Sequence, residues 1–209
     1  MKRLLLPIFV VAPLALCVTA PAKPLPKTAP RKVAPVKAKA PIPASLDYLW
    51  EQSDRAFHAG DYPTAVKIHR AIVTLDPTDT ESFGVGAWLL WSLGQKADAR
   101  AFIQQGLTAN PNNAEMWDTA GQHYDLEKSY ADAKAAYVKS VALAGKQANE
   151  LLRHRLAHSA EHAGDLPLSV QTWTELVHDY PTSAVNKNNL ARVKALAGKA
   201  EKTVVSRLP

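Results

Sequence analysis

One punctuation pattern recurs four times along this chain: a turn residue, an alanine or serine five residues later, and a proline or glycine twelve beyond that. The copies are Gly60–Ala65–Pro77, Gly94–Ala99–Pro111, Lys128–Ala133–Gly145 and Gly164–Ser169–Pro181. The turn position advances by 34, 34 and 36 residues. A period of this length marks a helical solenoid, in which one repeat cannot bury its apolar face alone and stacking completes the core. That excludes an irregular bundle and directs function toward a surface for partners.

The charge is unevenly placed. Of 25 basic and 19 acidic residues, eight basic and no acidic ones lie in 1–43. Residues 44–209 therefore hold 17 basic and 19 acidic groups, a net of −2. The basic balance belongs to the N-terminal stretch, so no nucleic-acid partner is expected. The remaining residues suffice to bury a core of about 70% of the unfolded-chain surface.

Residues 1–22 read as a signal peptide. Lys2 and Arg3 supply the positive end, Leu4 to Val18 the apolar run, and Ala20-Pro21-Ala22 the small residues for cleavage after Ala22. Pro7 and Pro13 interrupt that run, whereas a membrane-spanning anchor needs about 20 apolar residues. Lipidation at Cys17 competes with simple cleavage, although Leu16 stands where a small residue is required. Cleavage after Ala22 leaves no cysteine, which excludes disulfides and thiolate chemistry. Exported placement, periplasmic or secreted, is the expectation.

Residues 23–43 are mostly Pro, Ala, Lys and Val and read as an extended linker reaching about 65 Å. Its weak contact with an anionic membrane or wall polymer is the alternative to a plain tether. After residue 44 the composition shifts to helix formers with apolar 3.6-type spacing. The spacing predicts helix pairs at 45–59 with 62–75, 80–93 with 95–109, 114–127 with 129–144, and 149–163 with 166–179. A last helix is predicted at 183–197. Ser45 is the expected first N-cap, and Asp76-Pro77 and Asn110-Pro111 end helices because proline lacks an N–H. Gly60, Gly94, Gly164 and Gly198 are expected at left-handed positions after helix ends.

Trp117, Ala120, Gly121, Tyr124, Tyr130, Ala133 and Tyr137 stand in the register of the tetratricopeptide repeat, and the chain over 45–200 resembles that family. The fourth repeat adds Leu156, Ala157, Gly164, Ser169, Trp173 and Pro181. The small residues Ser53, Ala87, Gly121, Ala157 and Ala191 share one register, where paired helices approach closely. The resemblance implies an all-α, right-handed superhelical solenoid with repeats at 46–79, 80–113, 114–147 and 150–183. A capping helix at 184–198 and a tail at 201–209 complete it. His69 replaces a large aromatic and Arg153 the usual Trp. The two-residue excess falls near Gly145–Asn149, and Lys187 and Lys194 give the last helix the polar face of a cap.

In this family the first helices of each pair line a concave groove. Carried over, the groove holds Trp50, Asp54 and Phe57, then Gly84, Trp88 and Trp91. Asp118, Gln122 and Asp125 follow, then His154, His158 and Glu161, and finally Asn188 and Arg192. The N-terminal half is aromatic, with Trp117 and Trp173 left to packing, and exposed aromatic clusters mark binding hot spots. His154, His158 and His162 form an i, i+4, i+8 series. Metal binding by His154 and His158 with Asp118 or Asp125 is the lesser reading, against a solvated face. Acidic Asp54, Asp118 and Asp125 oppose a carboxylate clamp and suit a peptide with basic or aromatic groups.

No nucleophile–base set, phosphate loop or catalytic carboxylate pair is visible, so neither enzyme activity nor a cofactor is expected. The expectation is a scaffold of the cell envelope that binds a protein or peptide. An envelope assembly factor tethered to membrane or wall, or a metal-dependent accessory protein, is the alternative.

Overall fold

The computed structural model describes residues 45–205, with side chains through residue 200. The signal peptide, Cys17 and the 23–43 linker lie outside the described residues. The helices are α1 (Leu46–His58), α2 (Tyr62–Leu75), α3 (Thr80–Ser92), α4 (Lys96–Ala109) and α5 (Ala114–Leu126). They continue with α6 (Tyr130–Ala144), α7 (Glu150–His162), α8 (Leu166–Asp179) and α9 (Ala184–Val205). Successive helices pack in pairs and each pair stacks on the next, an all-α helical-repeat solenoid. Among the described residues no helix is long and apolar enough to cross a membrane.

Local chemistry sets each boundary. Ser45, Asp61, Asp79, Asn113, Asn149 and Asp165 accept a backbone N–H from the first turn that follows them. Each such cap contributes about 1 kcal/mol. The first helix of every pair ends in the same closure. Asp61 N–H donates to Ala56 O at 2.8 Å, Gln95 N–H to Leu90 O at 2.9 Å, Ser129 N–H to Tyr124 O at 2.8 Å, and Asp165 N–H to Ala160 O at 2.8 Å. The residue enclosed by each closure is left-handed: Gly60, Gly94, Lys128 and Gly164. Lys128, with φ of 61°, does the work of a glycine while bearing a Cβ.

Small residues then let the helices of a pair meet. Ala65, Ala99, Ala133 and Ser169 are fully buried on the second helices. Gly121 on α5 lies so close to α6 that an added Cβ would stand 2.5 Å from the Tyr137 ring. Central α3 buries Phe83, Gly86, Ala87, Leu89 and Leu90 around most of its circumference, as a helix enclosed by neighbours must. One apolar core runs from Ala56 to Leu156, and a second joins Ala157, Trp173, Leu176 and Val193.

The two extra residues before repeat four appear as a 3₁₀ turn at Gly145–Gln147. Two expectations are corrected at the C-terminus. Gly198 lies inside α9 rather than after a helix end, because α9 continues to Val205. Ala191 is exposed, since among the described residues no further helix packs on that face of α9.

Candidate functional site

The first helices of repeats one to three line two adjoining pockets. One, of about 300 Å³, is formed by Trp50, Ser53, Asp54, Phe57, His69, Val85, Trp88 and Leu89. The other, of about 340 Å³, lies between α3 and α5, with Glu81, Gly84, Thr119, Gln122, His123 and Glu115 among its walls. Trp88 and Val85 line both. Trp88 is 42% exposed and Phe57 36%, with ring centroids 6.1 Å apart. Phe57 also stacks on Tyr62 at 5.6 Å, so its ring is held in place.

Trp50 is anchored differently. Its indole N–H donates to Asp79 Oδ2 at 3.1 Å, while Asp79 Oδ1 caps α3 through Ser82 N at 2.8 Å. One carboxylate thus ties α1 to the start of α3. Beneath it, His69 fills the slot expected for a large aromatic. Ser53 Oγ lies 2.8 Å from its Nε2 and Ser82 Oγ 3.2 Å from its Nδ1. His69 is 1% exposed, and burial lowers its pKa from 6.5 to about 4, so the ring is neutral. The Ser53–His69 spacing is that of a nucleophile and base, but the far nitrogen faces a hydroxyl rather than an orienting carboxylate. The trio satisfies three buried polar groups across two repeats.

Trp91 is set apart from this patch. It packs on the core with Lys96 Nζ 5.9 Å above its ring, beside Leu126, Glu127 and Lys128. Of the packing tryptophans, Trp173 is fully buried, while Trp117 is half-buried and donates to Pro111 O at 2.9 Å. Arg153, standing for a tryptophan, lies 5.5 Å from the Tyr180 ring centroid and pairs with Asp179 at 2.7 Å.

The C-terminal residues carried over from the family are spent on neighbouring repeats. Asp118 accepts from Arg155 at 2.6 Å and from Gln122 at 3.2 Å, and burial holds its pKa above the usual value. Asp125 accepts from Tyr137 at 2.9 Å and Ser159 at 2.5 Å. Glu161 is paired bidentately with Arg192, and Asn188 stands exposed on α9.

The three histidines are all engaged by neighbours, His154 and His158 both against the Trp173 ring, with centroids 4.9 and 5.1 Å away. His154 Nε2 meets Asn186 Oδ1 at 2.7 Å, His158 sets its edge against Trp173 at 5.1 Å, and His162 against Tyr130 at 4.6 Å. Among the described residues no three His, Cys, Asp or Glu side chains gather as a metal site, and Asp118 and Asp125 are engaged by Arg155, Tyr137 and Ser159. The groove's acidity comes from Glu81, Glu115 and Asp54, since Asp118 and Asp125 are neutralised or hydrogen-bonded. Sequence reasoning missed both glutamates because they fall outside the three groove positions taken from the family. Buried Asn186, bonded to Glu150 at 2.9 Å, was missed as well.

The fold and its paired pockets define a helical-repeat scaffold. A family profile described as tetratricopeptide repeat matches residues 56–122 and supports that family. No curated protein matches the sequence. Among solved structures, MamA is 14% identical, covering 76% of this chain and 86% of its own, at a TM-score of 0.57. TTC0263, a thermophilic TPR protein of Thermus thermophilus, is 16% identical, covering 73% and 83%, at 0.53. Naa15, in a Naa15/Naa10 complex bound to HypK-THB, is 22% identical over 75% of this chain, at 0.58. The chain spans only 24% of the length of that last relative. These likenesses show the fold, and the family matched is one of repeat scaffolds rather than catalysts.

Proposed function

We propose that this protein is a non-catalytic scaffold of the cell envelope that binds a protein or peptide partner along the face lined by α1, α3 and α5. The observation that carries the reading is Trp88, the most exposed tryptophan of the described residues, left open between two pockets. A partner that covers it gains about 25 cal/mol for each Å² of apolar surface withdrawn from water. The similar fold of Naa15, in a Naa15/Naa10 complex bound to HypK-THB, supports a scaffold that takes protein partners. Export rests on residues 1–22 and on cleavage that leaves Lys23 at the mature N-terminus, which N-terminal sequencing tests.

Crosslinking capture from envelope extracts tests the binding reading, with Trp88→Ala as the paired bait. Loss of the captured species with unchanged helical circular dichroism supports the groove; identical capture by both baits overturns it. The eight basic residues of 1–43 favour a second use, weak attachment to an anionic surface. Sedimentation with anionic vesicles that weakens as salt is added is the result expected of it.

A further inference from the structure

The two pockets differ in lining, one mainly aromatic and the other bearing two carboxylates, and that difference specifies a ligand more narrowly than the scaffold reading on which this inference rests. The pocket between α1 and α3 presents Trp50, Phe57, Val85, Trp88 and Leu89, with a single carboxylate, Asp54, that faces His58 at 3.3 Å. Across Trp88, the second pocket presents Glu81 and Glu115, both on exposed positions of first turns. Among the described residues neither carboxylate has an ion-pair or hydrogen-bond partner. The long-range cations of the described residues are engaged elsewhere. Arg100, Arg153, Arg155 and Arg192 each hold a carboxylate of another element. Two unpaired carboxylates therefore line the pocket beside the most exposed tryptophan.

The pocket wall offers no compensating cation. His123, its one basic lining residue, is buried, and its Nε2 makes no hydrogen bond although Glu127 Oε1 lies 3.2 Å away. A carboxylate pair beside an indole face is the environment that attracts an ammonium or guanidinium group, by Coulomb attraction and by the ring quadrupole together. The adjoining pocket takes an apolar side chain.

We infer that the groove selects an extended peptide bearing a lysine or arginine next to a bulky apolar residue, the cation held by Glu81, Glu115 and Trp88 and the apolar group by Trp50, Phe57 and Trp88. Trp88 is then shared, separating the two side chains while touching both.

The test uses the full chain and fluorescence anisotropy. Three labelled nonapeptides share a valine–proline frame and carry lysine, glutamate or no charge at alternate positions. The lysine peptide is expected to bind at least tenfold more tightly than the other two at 50 mM salt, and the preference to shrink as salt rises. Glu81→Gln with Glu115→Gln, isosteric at exposed positions and checked for folding by circular dichroism, is expected to erase the preference. If all three peptides bind equally yet depend on Trp88, the groove reading stands and the cation selectivity is overturned. If none shows Trp88-dependent binding, both fall.

Discussion

Ser159 reaches back one repeat and donates its hydroxyl proton to Asp125 at 2.5 Å, while Tyr137 occupies the carboxylate's other oxygen at 2.9 Å. Three helices, α5, α6 and α7, thus converge on a single side chain. The donor is fully buried. Removing it strips a charge-assisted bond from a partly buried acceptor, which costs about 2 kcal/mol. Ser159→Ala is therefore expected to lower the unfolding free energy in urea by that amount, with an earlier midpoint and unchanged helical content. An unaltered midpoint would show that the bond contributes nothing to the stacking of repeats three and four.

Lys128 gives the opposite sign. Its backbone is left-handed, at the position that Gly60, Gly94 and Gly164 hold in the other repeats. A Cβ there costs about 1–2 kcal/mol, and glycine gives back roughly half of that as extra unfolded-state entropy. Lys128→Gly is expected to stabilise the protein by about 0.5–1 kcal/mol in equilibrium denaturation. Destabilisation would mean that the lysine side chain has a role beyond the turn.

His69 makes stability depend on pH in a defined window. Burial lowers its pKa to about 4, against Asp79, which pulls the other way. Between 6.5 and 4 the unfolded chain binds a proton there and the folded chain does not. Stability from this group is therefore complete above about 6.5 and is lost as pH falls toward 4, by about 3 kcal/mol in all. Buried His123 shifts in the same direction and adds to the slope. His69→Phe is expected to flatten the curve between pH 7.5 and 4.5 while lowering stability at pH 7.5, because Ser53 and Ser82 lose their partner. A slope as steep as that of the parent protein would assign the acid sensitivity elsewhere.

Asn186 is expected to be the most sensitive position of the last helix. Fully buried, it meets His154 at 2.7 Å and donates to Glu150 at 2.9 Å, joining α9 to α7. Asn186→Ala should cost about 2 kcal/mol and release α9, measured as faster amide exchange over 184–200. The neighbouring exposed Asn188→Ala should change neither.

The repeat architecture was legible because it rests on local signals. Caps, left-handed glycines and small buried residues recur at fixed spacing, and each acts within a few residues of itself. Gly198 misled for that reason: a glycine looks the same to a local rule whether a second helix follows it or not. The site was less legible. Trp88 and Phe57 could be placed on the groove face by register alone, but whether an aspartate is free depends on residues about 35 positions away. Asp118 and Asp125 found Arg155 and Ser159 in the next repeat, and no spacing rule on one helix reveals that. Glu81 and Glu115 stayed free for the same long-range reason, and Trp91 left the aromatic patch because Lys96 and the following turn cover it.

Ion pairs join repeat two to three through Arg100 and Glu127, three to four through Lys134 and Asp165 and through Arg155 and Asp118, and four to α9 through Arg192 and Glu161. Among the described residues none joins repeat one to two, where Trp50 bonded to Asp79, His69 bonded to Ser82, and ring packing make the seam without a pair of opposite charges. Added electrolyte screens the first kind of junction and leaves the second untouched. Ionic strength therefore sets where along its length the molecule yields: dilute medium makes the C-terminal junctions firm, and brine moves compliance toward them while the aromatic end keeps its stiffness.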